Sequence, residues 1–294
     1  MCIGETVMER VGLQFNDAMD VGTEGSASTR IRRTDRAERT MFDENETETG
    51  RDETERIEIG PSLLAADPLA YGDAIDSVRT ADYLHVDVMD AHFAKDLSWS
   101  PSMVTAFVRR SRIPVEIHLM MDEPMQWIEP YLHTGAKRMV LHVESLAPDE
   151  LRSALELVHA GGCEAVLAFS PATPLEIPPA VADLLDGVMI MGVVSGEGGT
   201  GLLPDTAARV TRMRELLGGC GRGCGSGADG QSGLGVDGRA VVAVDGGVKL
   251  ANVASLTRAG ATRFVVGTDI FRHDDHAGRI AALRTEAGGC RRCE

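Results

Sequence analysis

Aromatic side chains are scarce in this sequence: 2 Trp, 3 Tyr and 7 Phe make up 4% of its 294 residues. A core with so few rings must be aliphatic, and 33 glycines promise tight turns around it. Long apolar runs are missing too. None approaches the ~20 residues that cross a bilayer as a helix, which excludes a membrane protein of that kind. Basic residues are outnumbered, with 29 Lys and Arg against 45 Asp and Glu, a formal net charge of −16. Such a surface repels phosphate backbones and argues against nucleic acid as a partner, yet a local site can still take a small phosphorylated molecule. Cysteine is thin: Cys2, Cys163, Cys220, Cys224, Cys290 and Cys293 are too scattered for a disulfide framework. A reducing compartment and a cytoplasmic location are therefore expected. The opening MCIGETVMERVGLQF lacks a long apolar stretch and carries acids early, so no secretory signal is read there. What remains, at 43% hydrophobic and 25% charged residues, is the composition of an ordinary globular enzyme.

The chain divides by texture. Residues 1–56 are polar, acidic and repetitive in charge, as in FDENETETGRDETER. They hold too little apolar surface to offset the entropy of ordering them, so a disordered acidic N-terminal extension is expected. From Ile57, short apolar runs alternate with amphipathic stretches. The strand-like runs are IEIGPSLL, DYLHVDVMD, IPVEIHLMM, RMVLHVES, EAVLAFSP, GVMIMGVV, AVVAVDGG and RFVVGTDI. Several of the helix-like stretches between them open at Asp or Pro and close at Gly, the usual start and stop signals. Runs of this kind suit a parallel sheet covered by helices, and about eight such units predict an α/β fold of the (β/α)8 TIM-barrel type over 57–287. A doubly wound open sheet is the competing architecture. The run GGCGRGCGSGADGQSGLGVDG reads as a flexible insertion over 218–238, and 288–294 as a C-terminal tail. Cys220 and Cys224 with Cys290 and Cys293 form two close pairs, but CxxxC in polyglycine is a weak zinc signal, and unpaired thiols are expected.

Barrel enzymes place their chemistry at the C-terminal ends of the strands, so polar residues there are informative. Ser62 ends the first strand. In the second, His85, Asp87 and Met89 alternate with Leu84, Val86 and Val88, and a period of two puts the former on one face. Outward, they would face helices, where a charged Asp has no purpose; inward, they reach the barrel mouth. The third strand repeats the spacing with His118 and Met120, and the seventh ends at Asp245. Two His and two Asp from three strands form a ligand set for one divalent metal ion, and their chemistry suits Zn, Fe, Mn or Co better than Ca. Glycine-rich turns follow the last three strands: SGEGGTG from Ser195 to Gly201, DGG after strand seven and GTD from Gly267 to Asp269. Backbone N–H groups in such turns bind phosphate without lysine or arginine.

These runs, GPSLLAAD, HVDVMDAHF, VEIHLMM, PATPL and AVDGGV, resemble the ribulose-phosphate 3-epimerase family from about Ile57 to Ala287, apart from the insertion. The resemblance implies that His85, Asp87, His118 and Asp245 bind the metal and that Asp87 and Asp245 form the acid/base pair. It implies substrate contacts from Ser62, His85 and His118, and from Met89, Met120 and Met191 around the reacting carbons. The phosphate would be held by Gly196, Glu197, Gly198, Gly199, Gly246, Gly247, Gly267 and Thr268. The implied reaction interconverts D-ribulose 5-phosphate and D-xylulose 5-phosphate by two-base proton transfer at C3. The sequence departs from the family at Ala91, where glycine is usual, at Lys95 and Asp96, where Pro-Asn is usual, and at VSGEGGT, where the family reads close to NPGFGGQ. Two alternatives follow: a 3-epimerase of a six-carbon ketose phosphate of the allulose 6-phosphate type, or a catalytically weak sugar-phosphate-binding paralogue. The expected partner is a small ketose phosphate, and a homo-oligomer is an expectation by resemblance.

Overall fold

The computed structural model describes residues 56–196, 199, 201–218 and 240–289. The acidic extension, the glycine-rich insertion and the paired cysteines named above lie outside the described residues, except Arg56 and Gly218.

Eight strands, all parallel, form one sheet: β1 (Glu58–Pro61), β2 (Leu84–Met89), β3 (Val115–Met120), β4 (Arg138–His142), β5 (Glu164–Phe169), β6 (Gly187–Met191), β7 (Val241–Asp245) and β8 (Arg263–Val266). Strands consecutive in sequence are neighbours from β2 to β8, and β8 pairs with β1. That order contains no switch point, so the doubly wound alternative is excluded. The seam between β1 and β2 is thin. It is closed by a parallel bridge between Ser62 and His85 and by the Asp82 N–H donating to the Ile59 carbonyl at 3.1 Å.

Helices α1 (Tyr71–Ser77), α2 (Pro101–Arg110), α3 (Met125–Leu132), α4 (Leu151–Ala160), α5 (Thr206–Leu216), α6 (Leu250–Arg258), α7 (Thr268–Phe271) and α8 (His276–Gly289) lie between or after the strands. The stretch PPAVADLLD forms a 3₁₀ helix, Pro179–Leu184, instead of an α-helix. Its six residues close less than two α-helical turns, too few for propagation to outweigh the nucleation cost. Helix α8 continues through Gly288 and Gly289.

Each strand is buried on both faces, and the two faces do different work. Leu84, Val86 and Val88 of β2 join Ile117 and Leu119 of β3 in the main core under the helices. The lumen holds a second set: Val140, Val166, Ala168, Met189, Met191, Ala243 and Val265, with Tyr83. At the N-terminal ends of the strands an ionic floor closes the barrel. Arg138 contacts Glu164 at 2.7 Å and Glu116 at 3.2 Å, and Arg263 contacts Glu58 at 2.7 Å. The Tyr83 ring lies against both guanidinium groups, 5.1 and 5.9 Å from its centroid. Gly60 leaves room for that ring, because a Cβ there would stand 2.2 Å from it. With the floor filled, the open end of the lumen is the C-terminal end of the strands.

Candidate active site

The inward period of β2 and β3 has the predicted consequence. His85, Asp87, His118 and Asp245 are all buried, and one ligand atom from each lies within 4.8 Å of all the others. The register sets this depth by pairing Asp87 with His118, while β7 brings Asp245 from across the mouth. His85 Nε2 is 3.1 Å from Asp87 Oδ1 and 3.7 Å from Asp245 Oδ2. His118 Nδ1 is 3.3 Å from Asp245 Oδ2 and 3.6 Å from Asp87 Oδ1. The Ser62 hydroxyl donates to Asp87 Oδ2 at 2.6 Å.

The electrostatics of this cluster call for a cation. Burial disfavours a charged imidazole, yet the Asp87 carboxylate beside His85, with Glu116 and Asp245, raises the His85 pKa well above its usual value. His118 is also raised against its burial, by contacts with Asp245 and Asp87. Burial would raise the Asp87 carboxyl, but the neighbouring His85 and His118 hold it far below the ordinary carboxylate range. The fit to a metal has a direct test in the structure. His118 Nδ1 is buried without a hydrogen-bond partner and faces two carboxylate oxygens. A buried ring nitrogen that makes no hydrogen bond and stands beside two carboxylate oxygens belongs to a donor set that fits a divalent cation.

Beside the cluster opens a cavity of about 400 Å³. Ser62, Asp87, Asp245, Met120 and Met191 form its inner wall. Gly196, Gly199, Gly246, Gly247, Gly267 and Thr268 form its rim, so the glycine turns after β6, β7 and β8 converge as predicted. Gly246 and Gly247 sit at φ of 95° and 71°, and a Cβ on Gly247 would meet the Leu202 backbone nitrogen at 2.5 Å. Only glycine fits that approach. Met89 touches the same small cluster as Met120 and Ala94, but it lines a separate rim cavity of about 700 Å³ with Trp99, Trp127 and Tyr131. Glu197 and Gly198 lie outside the described residues.

Against this architecture a sequence profile described as the ribulose-phosphate 3 epimerase family matches residues 58–271. The chain belongs to the ribulose-phosphate 3-epimerase family. It is 32% identical over 230 residues to the ribulose-phosphate 3-epimerase of Mycobacterium tuberculosis strain H37Rv, covering 78% of this chain and 93% of that protein. It is likewise 32% identical over 234 residues to the Escherichia coli K12 ribulose-phosphate 3-epimerase, covering 78% and 95%. Among solved structures, 3-hexulose-6-phosphate synthase from Salmonella typhimurium superposes with a TM-score of 0.55 at 14% identity, over 80% of this chain and 100% of that one, a likeness of fold.

The structure thus brings His85, Asp87, His118 and Asp245 together, and it adds neighbours that the sequence pattern alone did not single out. Glu116 Oε1 accepts a hydrogen bond from His85 Nδ1 at 2.7 Å and is fully buried. Burial would raise its carboxyl, but Arg138 and His85 lower it to about 2. The signal was present: Glu116 precedes His118 by two, on the same inward face. His142, the last residue of β4, was equally legible by period two, whereas Glu144 lies in the 3₁₀ turn Val143–Ser145 beyond the strand, where that period no longer holds. Asp96 and Arg272 also line the cavity, and nothing local to their loop sequences marked them.

Proposed function

We propose that this chain interconverts D-ribulose 5-phosphate and D-xylulose 5-phosphate by removing a proton at C3 and returning one to the opposite face. The observation that carries the reading is the pair of carboxylates, Asp87 from β2 and Asp245 from β7, set around one ion-sized gap with two imidazoles. A single base tends to return a proton where it found it. Two carboxylates from opposite sides of the barrel, one ionised and one protonated, invert the centre, and their roles exchange in the reverse direction. A divalent ion held by His85, Asp87, His118 and Asp245 would supply Lewis-acid stabilisation of the charge that develops on the substrate oxygens. Ser62, donating to Asp87, holds that carboxylate in one orientation. Met120 and Met191 line the reacting face with polarizable, aprotic surface, so they do not quench a carbanionic centre. The glycine rim offers backbone N–H groups to the phosphate, and the exposed Arg272 guanidinium at the same rim adds a cation to an otherwise acidic protein. We place the enzyme in the cytoplasm on its cysteine usage.

The test is a coupled assay of metal-reconstituted protein on D-ribulose 5-phosphate, with D-allulose 6-phosphate in parallel. Turnover of the pentulose phosphate above the hexulose phosphate is expected, and no rate above background overturns the reading. The two-base assignment has its own measurement. In metal-loaded Asp87→Asn and Asp245→Asn, epimerisation should fall about 10²–10⁴-fold, the usual worth of general acid–base help. The variant that keeps the abstracting carboxylate should still wash solvent deuterium into C3 of the starting sugar. Epimerisation by either variant at near wild-type rate would assign the proton to another group.

A further inference from the structure

The His118 ring has two nitrogens, and only one arrangement of its proton lets it hold a cation. Nδ1 faces Asp87 and Asp245, so for a cation to be held among them its lone pair must point there and the ring proton must sit on Nε2. That Nε2 lies 2.9 Å from Nε2 of His142. The two ring planes are 12° apart with centroids separated by 5.0 Å, so the rings meet edge to edge, and the in-plane lone pair of one nitrogen receives the N–H of the other. If His118 donates, His142 must accept at Nε2 and carry its own proton on Nδ1. His142 Nδ1 is 3.0 Å from Glu144 Oε1. A carboxylate can only accept, so it selects this tautomer of His142. Glu144 is in turn anchored by the Ser170 N–H, which donates to the same oxygen at 3.2 Å. His142 is fully buried, and the Phe93 ring packs 4.6 Å from it.

We propose that Glu144 and His142 are positioning residues: a two-link relay from β4 that fixes the tautomer and ring orientation of the metal ligand His118. His85 has the one-link version, since its Nδ1–H donates directly to Glu116 and leaves Nε2 toward Asp87 and Asp245. The two histidines therefore face the cation with different nitrogens, and in each case the choice is made by a carboxylate from another part of the barrel: Glu116 on β3 and Glu144 in the 3₁₀ turn, Val143–Ser145, that follows β4. Break the chain at Glu144 and His142 is free to place its proton on Nε2. His118 then loses its acceptor, and its proton can shift to Nδ1, where it blocks the ligand position.

The inference rests on the metal-site reading above, and its test separates the two. Co²⁺ binding to the full-length protein is measured by competition with a chromophoric chelator, together with the visible absorption of the bound ion. Glu144→Gln offers His142 an amide donor, and His142→Leu removes the acceptor. Each should weaken Co²⁺ binding about 10–100-fold, the usual effect of losing a partner behind a ligating histidine, and alter the Co²⁺ spectrum. His142→Gln keeps a carbonyl acceptor within the side chain and should recover part of the affinity. Unchanged melting of the metal-free variants would separate positioning from folding. Should the variants fail to fold, ¹⁵N NMR of histidine-labelled, zinc-loaded wild type must show His142 protonated at Nδ1 and His118 at Nε2. The relay is overturned if either variant binds Co²⁺ with wild-type affinity and spectrum, or if the NMR shows the opposite tautomers. Wild-type protein that takes up no Co²⁺ overturns the metal-site reading, and the relay with it.

Discussion

Ala91 has a φ of 64° and, among the described residues, is the one residue other than glycine with a positive value. It turns the chain out of β2 into the loop that carries Phe93, Ala94 and Asp96. Its N–H donates to the Asp96 carbonyl at 2.9 Å, and Asp90 beside it accepts from the N–H groups of His92, Phe93 and Asp122. These bonds hold the turn in place despite the side chain. A left-handed conformation costs an L-residue about 1–2 kcal/mol, while glycine there would give back about 0.5–1 kcal/mol in unfolded-state entropy. Ala91→Gly should therefore stabilise the barrel by about 0.5–1 kcal/mol, seen as a melting temperature higher by roughly 1–4 °C. A lower melting temperature would contradict the left-handed turn. The resemblance read from the sequence leads one to expect glycine at this position, and the left-handed geometry is the one glycine suits best.

Element packing shows where the scarce rings are spent. Tyr71 of α1, Trp99 in the loop before α2 and Phe107 of α2 meet edge to face at 5.2–5.5 Å, and α3 joins them through Tyr131, whose hydroxyl donates to the Trp99 carbonyl at 2.7 Å. Burial pushes the Tyr131 hydroxyl up to about 12 from an ordinary 10. A folded pKa above the unfolded one means this stability is fully present below pH 10 and is lost as pH rises through 12. Two units set a ceiling of about 3 kcal/mol on the effect. Tyr131→Phe removes this ionisation, so its stability should fall less than that of wild type between pH 10 and pH 12, measured by urea unfolding at each pH. Parallel pH profiles for the two proteins would mean that Tyr131 ionises as freely folded as unfolded. The strand and helix alternation was legible because both faces of a covered parallel strand are apolar. The 3₁₀ character of Pro179–Leu184 was not, since its residues satisfy a helical pattern that is merely too short.

For the whole molecule, the barrel joins a filled, ionic floor to an open mouth that gathers negative charge around two imidazoles. A divalent ion bound there and not by the unfolded chain should stabilise the fold by mass action, about 4 kcal/mol at a thousandfold excess over Kd. Melting in saturating Zn²⁺ or Mn²⁺ should exceed melting in a strong chelator by roughly 10 °C, and Asp245→Asn should remove most of the difference. An ion-independent melting temperature in the wild-type protein would place no cation at the four residues.

The sequence by itself determined which residues face inward. A period of two is a local property of the backbone, so HVDVM and EIHLM put His85, Asp87 and His118 in the lumen wherever the strands lie. It also determined that glycine turns follow β6, β7 and β8. Tertiary structure decided the depth of each residue, through the stagger between neighbouring strands, and with it the meeting of Asp245 with His118 and of Ser62 with Asp87. It turned Met89 toward the rim cavity as well as its cluster with Met120. It also decided which nitrogen of each histidine faces the gap, because Glu116 and His142 act from other strands. A hydrogen bond between residues 31 or 24 positions apart leaves no periodic trace in the sequence and exists once the register has brought its partners within 3 Å.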